Sequence, residues 1–396
     1  MKSSIVLGLN YGDEGKGSMV NFLCKKYVKD EPLVVRFSSG HQVGHTVVEG
    51  KKKHVFSNFG SGTLSKTPTY WSEFCTFNPS AIRSEVQDLI TDKRSYPILY
   101  INDNAMVTTP YDILSNRISE DKNGHGSVGV GFGTTIQRNE DHFKLYARDL
   151  KFPTIRDFKL KQMEIYYANA IKIANKGYDV NHLIQNFKKD CDYLLSYFDF
   201  VPDLESVIDG KCYRHLIFEG NQGIMLDQDY GFFPNVTRCS TTSKNAIGII
   251  EQLVDFTTYE TTIYYMTRAY QTRHGNGFMT NEELDNTYII ENPLETNVLG
   301  KYQGAFRKTP LDIESMNYAL SCDRFHRKNA STILGITCVD QIMGKIPFTI
   351  RDNGSINMAD ATEIGSILGF NNEKLLLSNS DKGNFVRELY PELQSI

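Results

Sequence analysis

An apolar run beginning at Ile5-Val6-Leu7 breaks at Gly8 into glycine and polar positions, after which Met19, Val20, Phe22, Leu23, Tyr27 and Val28 recur at helical spacing. This pattern predicts a strand buried on both faces, a tight turn, and a helix whose N-terminus faces the turn. The same order of apolar run and polar loop returns along the chain. Residues 33–37 run into Ser38-Ser39-Gly40-His41-Gln42, residues 215–218 into Glu219-Gly220-Asn221-Gln222-Gly223, and residues 262–266 towards Tyr270-Gln271-Thr272-Arg273-His274. Residues 332–340 read as a late strand ending at Asp340, and residues 97–101 as another strand. Helical spacing covers 79–92 and 246–254, and most of 152–200, whose aromatic residues read as core. Strands alternating with helices predict an α/β fold with a large, mostly parallel central sheet covered by helices. The expected organisation is one domain, 1–396, with a mainly helical lobe at about 152–200; no internal repeat or low-complexity tract interrupts it. In such sheets ligand groups gather at the C-terminal ends of the strands, where the polar loops fall.

Composition narrows this reading. With 396 residues, 40% of them hydrophobic, the chain can bury a substantial core. A net charge of -4 provides no broad basic surface, so neither nucleic acid nor an acidic membrane is expected as a partner. No segment approaches the ~20 apolar residues of a membrane span. Seven cysteines without a C-x-x-C pair argue against a disulfide framework or a zinc site and for a reducing, cytoplasmic setting.

The loops carry the chemistry. Gly12-Asp13-Glu14-Gly15-Lys16-Gly17-Ser18 places glycines and a lysine at a helix N-terminus, which suits a phosphate. Its spacing is not that of a Walker A loop, and Gly17 stands where a magnesium-binding Ser or Thr would be. Asp13 would repel a phosphate unless a metal bridges the two or Asp13 takes a proton from a neighbour; otherwise it caps the helix. His41 and His45 are four apart, but glycines flank them and no acidic residue is close, so a catalytic acid, a phosphate contact or an inert loop histidine fits His41 better than a zinc ligand. The Lys51-Lys52-Lys53-His54 run reads as a solvated turn between two strands. The glycine-rich stretch 124–135 either closes over a ligand or is simply flexible. Asp340 can accept two N–H donors of a guanine edge or merely end a strand.

Taken in order, the loops at 12–17, 40–46, 219–223, Val236-Thr237 and 272–277 resemble those of the adenylosuccinate synthetase family over nearly the whole chain. The resemblance implies a cytoplasmic homodimeric ligase that joins L-aspartate to the 6-position of IMP, using Mg2+ and GTP, or ATP. It assigns catalysis to Asp13, Lys16, His41 and Gln222, with Mg2+ on Asp13 and the Gly40 carbonyl. It assigns the triphosphate to Gly12, Glu14, Gly15, Gly17, Ser18, Gly40, Gln42, Arg307, Cys338, Asp340, Ser378 and Ser380. The purine monophosphate falls to Asp13, Ser38, His41, Ser127, Arg138, Gln222, Thr237 and Arg273, one arginine being lent by the second subunit. The amine donor falls to Tyr302, Gln303, Gly304, Ala305 and Arg307.

Departures from the family pattern stand at four places, the first being Val128-Gly129-Val130-Gly131, which lacks the arginine usual in that glycine loop. Ala305 replaces an arginine of the aspartate-binding loop, Thr337-Cys338-Val339-Asp340 lacks the lysine of Thr-Lys-x-Asp, and Ser378-Asn379-Ser380-Asp381 replaces Ser-Thr-Gly-Pro. A related phage branch acts on dGMP and replaces the residue corresponding to Asp13; its retention here argues for a 6-oxopurine without a 2-amino group. The alternatives are another purine nucleotide such as dIMP or dGMP, another amine donor, or a nucleotide sensor that has lost catalysis.

Overall fold

A computed structural model describes the chain except for residues 51, 91–95, 124–125, 176, 211–212, 255, 294, 296, 298–303, 352–353, 381–384 and 387–396. The strand Lys2–Gly8 lies near the middle of a nine-stranded sheet. Across the sheet the order is Leu375–Leu377, Ser331–Thr337, Glu260–Arg268, Lys2–Gly8, His215–Glu219, Pro32–Arg36, Thr69–Trp71, Leu99–Asn102 and Asp199–Val201. Every neighbouring pair is parallel. Consequently the loops that follow these strands leave one edge of the sheet together.

The apolar run in the central strand follows from burial on both faces. Ile5 and Leu7 enter one core with Leu33, Phe218, Ile263 and Leu334, while Val6 enters another with Met19, Val20, Leu23 and Cys24 of the helix Lys16–Lys26. That packing fixes the start of the helix over the sheet edge.

Helices Pro153–Tyr166, Ala168–Ala174 and Val180–Tyr197 occupy most of 152–200. Leu160, Met163, Phe187 and Leu194 share a core with Ile82 and Val86 of the helix Pro79–Leu89 and with Ile101 of the sheet. Boundaries shift slightly from the sequence reading: the 246–254 helix is Lys244–Gln252. The late strand stops at Thr337 rather than Asp340, because Cys338 adopts a left-handed backbone (φ 57°) that leaves the sheet and starts the short turn Val339–Gln341. Among the described residues no helix is long and apolar enough to cross a membrane.

Candidate active site

The converging loops enclose a cavity of about 690 Å³. Residues 11–18, Gln42, Ser127, Gln222, Thr237, Arg273, Cys338, Ser378 and Ser380 are on its wall, so most of the sequence-selected phosphate residues meet there. The glycine turn owes its shape to left-handed backbone at Gly12 (φ 103°), Asp13 (φ 60°) and Gly15 (φ 80°). Gly15 directly precedes the helix Lys16–Lys26, so the helix's free N–H groups face the cavity. Opposite it, a Cβ on Gly223 would approach the Asn10 carbonyl oxygen to 2.2 Å, which only glycine avoids.

Asp13 is held from two sides. Arg268 Nε donates to its carbonyl at 2.5 Å, and His274 Nδ1 lies 3.2 Å from its carboxylate. Burial alone would raise the Asp13 pKa, but the hydrogen bond and charge of His274, with Arg268 and Lys16, hold it below the ordinary value. Asp13 is therefore an ionised carboxylate at neutral pH, the form a base needs. Glu14 turns inward instead. Its Oε1 accepts from Asn10 N–H at 2.6 Å, its Oε2 is 3.6 Å from Lys16 Nζ, and burial pushes its pKa up to about 7 despite the lysine.

The 38–46 loop is braced beneath the turn. Glu219, fully buried at its strand end, bonds His45 Nδ1 at 2.6 Å and accepts from Ser61. His45 is thereby a support, and among the described residues no group of three His, Cys, Asp or Glu side chains could hold a metal. His41 is half-buried, its Nδ1 has no partner, and burial lowers its pKa to about 4, leaving a neutral imidazole. Neither His41, Ser38 nor Gly40 reaches the cavity wall. Gly40 packs so closely on Thr76 that a Cβ would approach its Oγ1 to 2.3 Å. Gln42 donates to Ser39 Oγ, and Ser39 Oγ donates to Gln222 Oε1 at 3.4 Å, tying the loop to the 219–223 turn.

Other candidates are placed differently. Arg138 is fully buried, pairs with Asp112 at 2.8 Å and donates to the Val107 and Phe143 carbonyls, so within its own chain it braces a helix and is not on the cavity wall. Arg273 reaches the wall, but its guanidinium bonds the carbonyls of Asn235, Asn276 and Phe278 and lies 4.5 Å from the Tyr11 ring centre. Ser127 bonds Asn116, and Thr237 holds its loop through N–H to the Leu226 carbonyl. Arg307 pairs with Glu282 at 2.6 Å and caps the Gly275 and Gly277 carbonyls; it, Gly304 and Ala305 are away from the wall. Tyr302 and Gln303 lie outside the described residues. Asp340 is also off the wall, both oxygens bonded by Ser380.

Sequence reasoning missed Arg268, His274, Tyr11 and Gln341, all on the wall. His274 sat in a motif already singled out, but a role was given only to Arg273 beside it. Nothing local marks Arg268, whose function comes from the register of two distant strands. Asp13, an ionised and part-exposed carboxylate on the cavity wall, fits a hard cation such as Mg2+ that keeps waters and substrate oxygens as ligands, whereas Gly40, the other ligand the resemblance implies, is not on that wall.

The adenylosuccinate synthetase family model matches residues 5–343. Adenylosuccinate synthetase of Helicobacter acinonychis (strain Sheeba) is 29% identical over 298 residues, 71% of this chain and 66% of that protein, so the match spans just under two thirds of the relative. The fully ligated adenylosuccinate synthetase of Plasmodium falciparum is similar in fold at TM-score 0.71 and 18% identity, covering 92% of this chain and 85% of that one. Cyanophage S-2L succinoaminodeoxyadenylate synthetase (PurZ), bound to dGMP and dATP as an energy donor, matches at TM-score 0.64 and 13% identity over 100% of this chain and 98% of that one. A parallel sheet gathering the ordered glycine loops around one cavity, and a family match across most of the length, place this chain in the adenylosuccinate synthetase family of carbon–nitrogen ligases.

Proposed function

We propose that the protein is a purine nucleotide ligase that uses a nucleoside triphosphate to phosphorylate O6 of IMP or a close 6-oxopurine monophosphate and then joins L-aspartate at C6. The observation that carries this reading is Asp13: an ionised carboxylate fixed by Arg268 and His274 inside a turn built for phosphate. Binding alone would not require an acid there.

In the first step Asp13 takes the N1 proton, the electron pair moves to O6, and O6 attacks the γ-phosphorus as the bond to the nucleoside diphosphate breaks. Lys16 and the N–H groups at the start of its helix orient the phosphates and balance their charge. Mg2+, with Asp13 as its carboxylate ligand, would supply charge screening on those phosphates. In the second step the aspartate nitrogen forms a bond to C6 and phosphate leaves with the O6 oxygen. Gln222, on the cavity wall, is suited to contacting the base, while His41, a neutral imidazole at pH 7, would donate to developing negative charge only if its loop carried it to the wall it does not reach in this structure.

Gly17, Ser18 and Gln42 line the triphosphate side, with Ser127 and Thr237 at the monophosphate; an arginine from a second subunit in a homodimer would complete the latter. The amine donor is where a second reading has support. Arg307, the nearest replacement for the arginine absent at Ala305, is already paired with Glu282.

Phosphate release measured with IMP, dIMP or dGMP, with and without aspartate, tests the proposal. Release requiring both IMP and aspartate, with adenylosuccinate formed, is the expected result. Release that ignores aspartate would favour another amine donor, and nucleotide binding without release would sink the ligase reading.

A further inference from the structure

The ligase reading puts a phosphomonoester beside Ser127 and Thr237, and the cation that meets it follows from what each positively charged side chain is already doing. Arg268 and Arg273 are buried, the first engaged by the Asp13 carbonyl, Glu295 and Tyr270, the second by three main-chain carbonyls. Lys16 stands at the head of its helix in the glycine turn, and Lys53 on the hairpin strand Lys52–Phe56. Arg138, to which the resemblance gave this phosphate, is fully buried against Asp112 and off the cavity wall. Among the described residues Arg238 is the remaining lysine or arginine of the wall.

Its place in the fold suits that role. Arg238 directly follows Thr237, whose loop is held by its N–H on the Leu226 carbonyl. Its side chain crosses to the helix Phe132–Glu140, which opens straight after the glycine loop carrying Ser127: a Cβ on Gly133 would lie 3.6 Å from Arg238 Cδ. The stem of Arg238 therefore bridges the two loops between which the monophosphate is expected. Its guanidinium is engaged at the surface, Nη1 donating to Gln137 Oε1 at 2.8 Å and Nη2 to Glu140 Oε2 at 2.6 Å, with the Arg238 side chain 41% and that of Glu140 55% exposed. Neither Gln137 nor Glu140 is on the wall. A solvated pair of this kind contributes little, so exchanging it for another anion costs little, and a phosphate accepts two parallel N–H bonds from a guanidinium.

We propose that Arg238 binds the phosphate of the purine monophosphate, leaving Glu140 and turning its guanidinium from the helix to the cavity. The chain thus supplies from its own fold a cation that the buried Arg138 does not give it. Charge at this end of the cavity argues the same way. Glu120, a wall residue, accepts from Gly126 and Ser127 N–H, so a phosphate entering between the loops meets a carboxylate and needs a cation to offset it.

The inference takes its ligand from the ligase reading, but binding alone tests it. Calorimetric titration of the full chain with IMP, and with inosine, which lacks the phosphate, is made for the wild type, Arg238→Ala, Arg238→Lys and Glu140→Gln. Arg238→Ala should weaken IMP roughly tenfold or more and leave inosine unchanged. Arg238→Lys, which keeps the charge but not the planar fork, should recover part of the loss. Glu140→Gln, which removes the competing anion, should tighten IMP about two- to fivefold. An IMP affinity unchanged in Arg238→Ala, a loss shared equally by inosine, or a failure of Glu140→Gln to tighten binding would overturn the assignment. Should IMP not bind the wild type, dIMP and dGMP take its place, and no binding of any of the three would overturn this assignment and the ligase reading together. A chain that binds IMP through Arg238 yet forms no product would refute the ligase reading and leave this one standing.

Discussion

The glycine turn at 12–17 and the paired loops at 338–341 and 378–380 leave the same sheet edge and line the same cavity, yet they are built on different principles. The turn is shaped by main chain: left-handed φ at Gly12, Asp13 and Gly15, a helix start, and a Gly223 contact that admits no Cβ. The paired loops are held by side chains, Gln341 by Tyr270 and Asp340 by Ser380. Main-chain amides cannot be exchanged by point mutation, whereas side chains can, and accordingly 12–17 keeps the family motif while 337–340 and 378–381 depart from it.

The contrast can be broken most sharply at Asp13. Asp13→Ala should lower kcat by about 10³-fold or more, in the range of general-base loss, while triphosphate affinity changes only modestly in an equilibrium titration. A near-normal rate would remove Asp13 from the chemistry. Gly223→Ala comes next: its Cβ collides with the Asn10 carbonyl, and urea unfolding should show a loss of about 2 to 4 kcal/mol, with phosphate affinity falling in the folded fraction. Unchanged stability would mean that the turn yields, contrary to its main-chain character.

A control belongs at the opposite edge of the same strands. His215 is buried, stacks on Tyr27 at 4.1 Å and bonds Ser4, and burial lowers its pKa to about 4. The unfolded chain, with His near 6.5, binds more protons, so stability is full above pH 6.5 and falls by up to about 3 kcal/mol as pH drops to 4. His215→Asn should flatten the pH dependence of urea midpoints across that window; an unaltered slope would remove His215 as its source. The smallest effect is expected at Lys25, half exposed on the last turn of the helix Lys16–Lys26, whose amine pairs with Glu49 at 3.0 Å. Lys25→Ala should cost less than about 1 kcal/mol in the same assay, and a larger loss would show that this helix end contributes more than a surface pair does.

Much of the fold was legible because burial on both faces of a parallel strand writes a continuous apolar run, as in Ile5-Val6-Leu7 and at 215–218. The helix over 79–92 was placed, and its start is sharp because Asn78 caps it through Ser80 and Ala81 N–H. The strand end at 337 was not, since the apolar residues run on through Val339 while the backbone turns at Cys338. In the site, the glycine turn was readable from spacing. Arg138 was not: a lone arginine gives no sign of whether it faces a ligand or Asp112, and here Asp112 takes it.

The order of strands, turns and helices, the phosphate-type turn and the family were already contained in the sequence, because each depends on contacts between near neighbours or on an ordered set of short motifs. The tertiary structure alone decided that Arg268 and His274 hold Asp13 and that Arg307 is paired with Glu282. These partners are as many as 261 positions apart, as His274 is from Asp13, and only the packing of distant strands, parallel for Arg268 and antiparallel for His274 and Arg307, brings them within hydrogen-bonding reach.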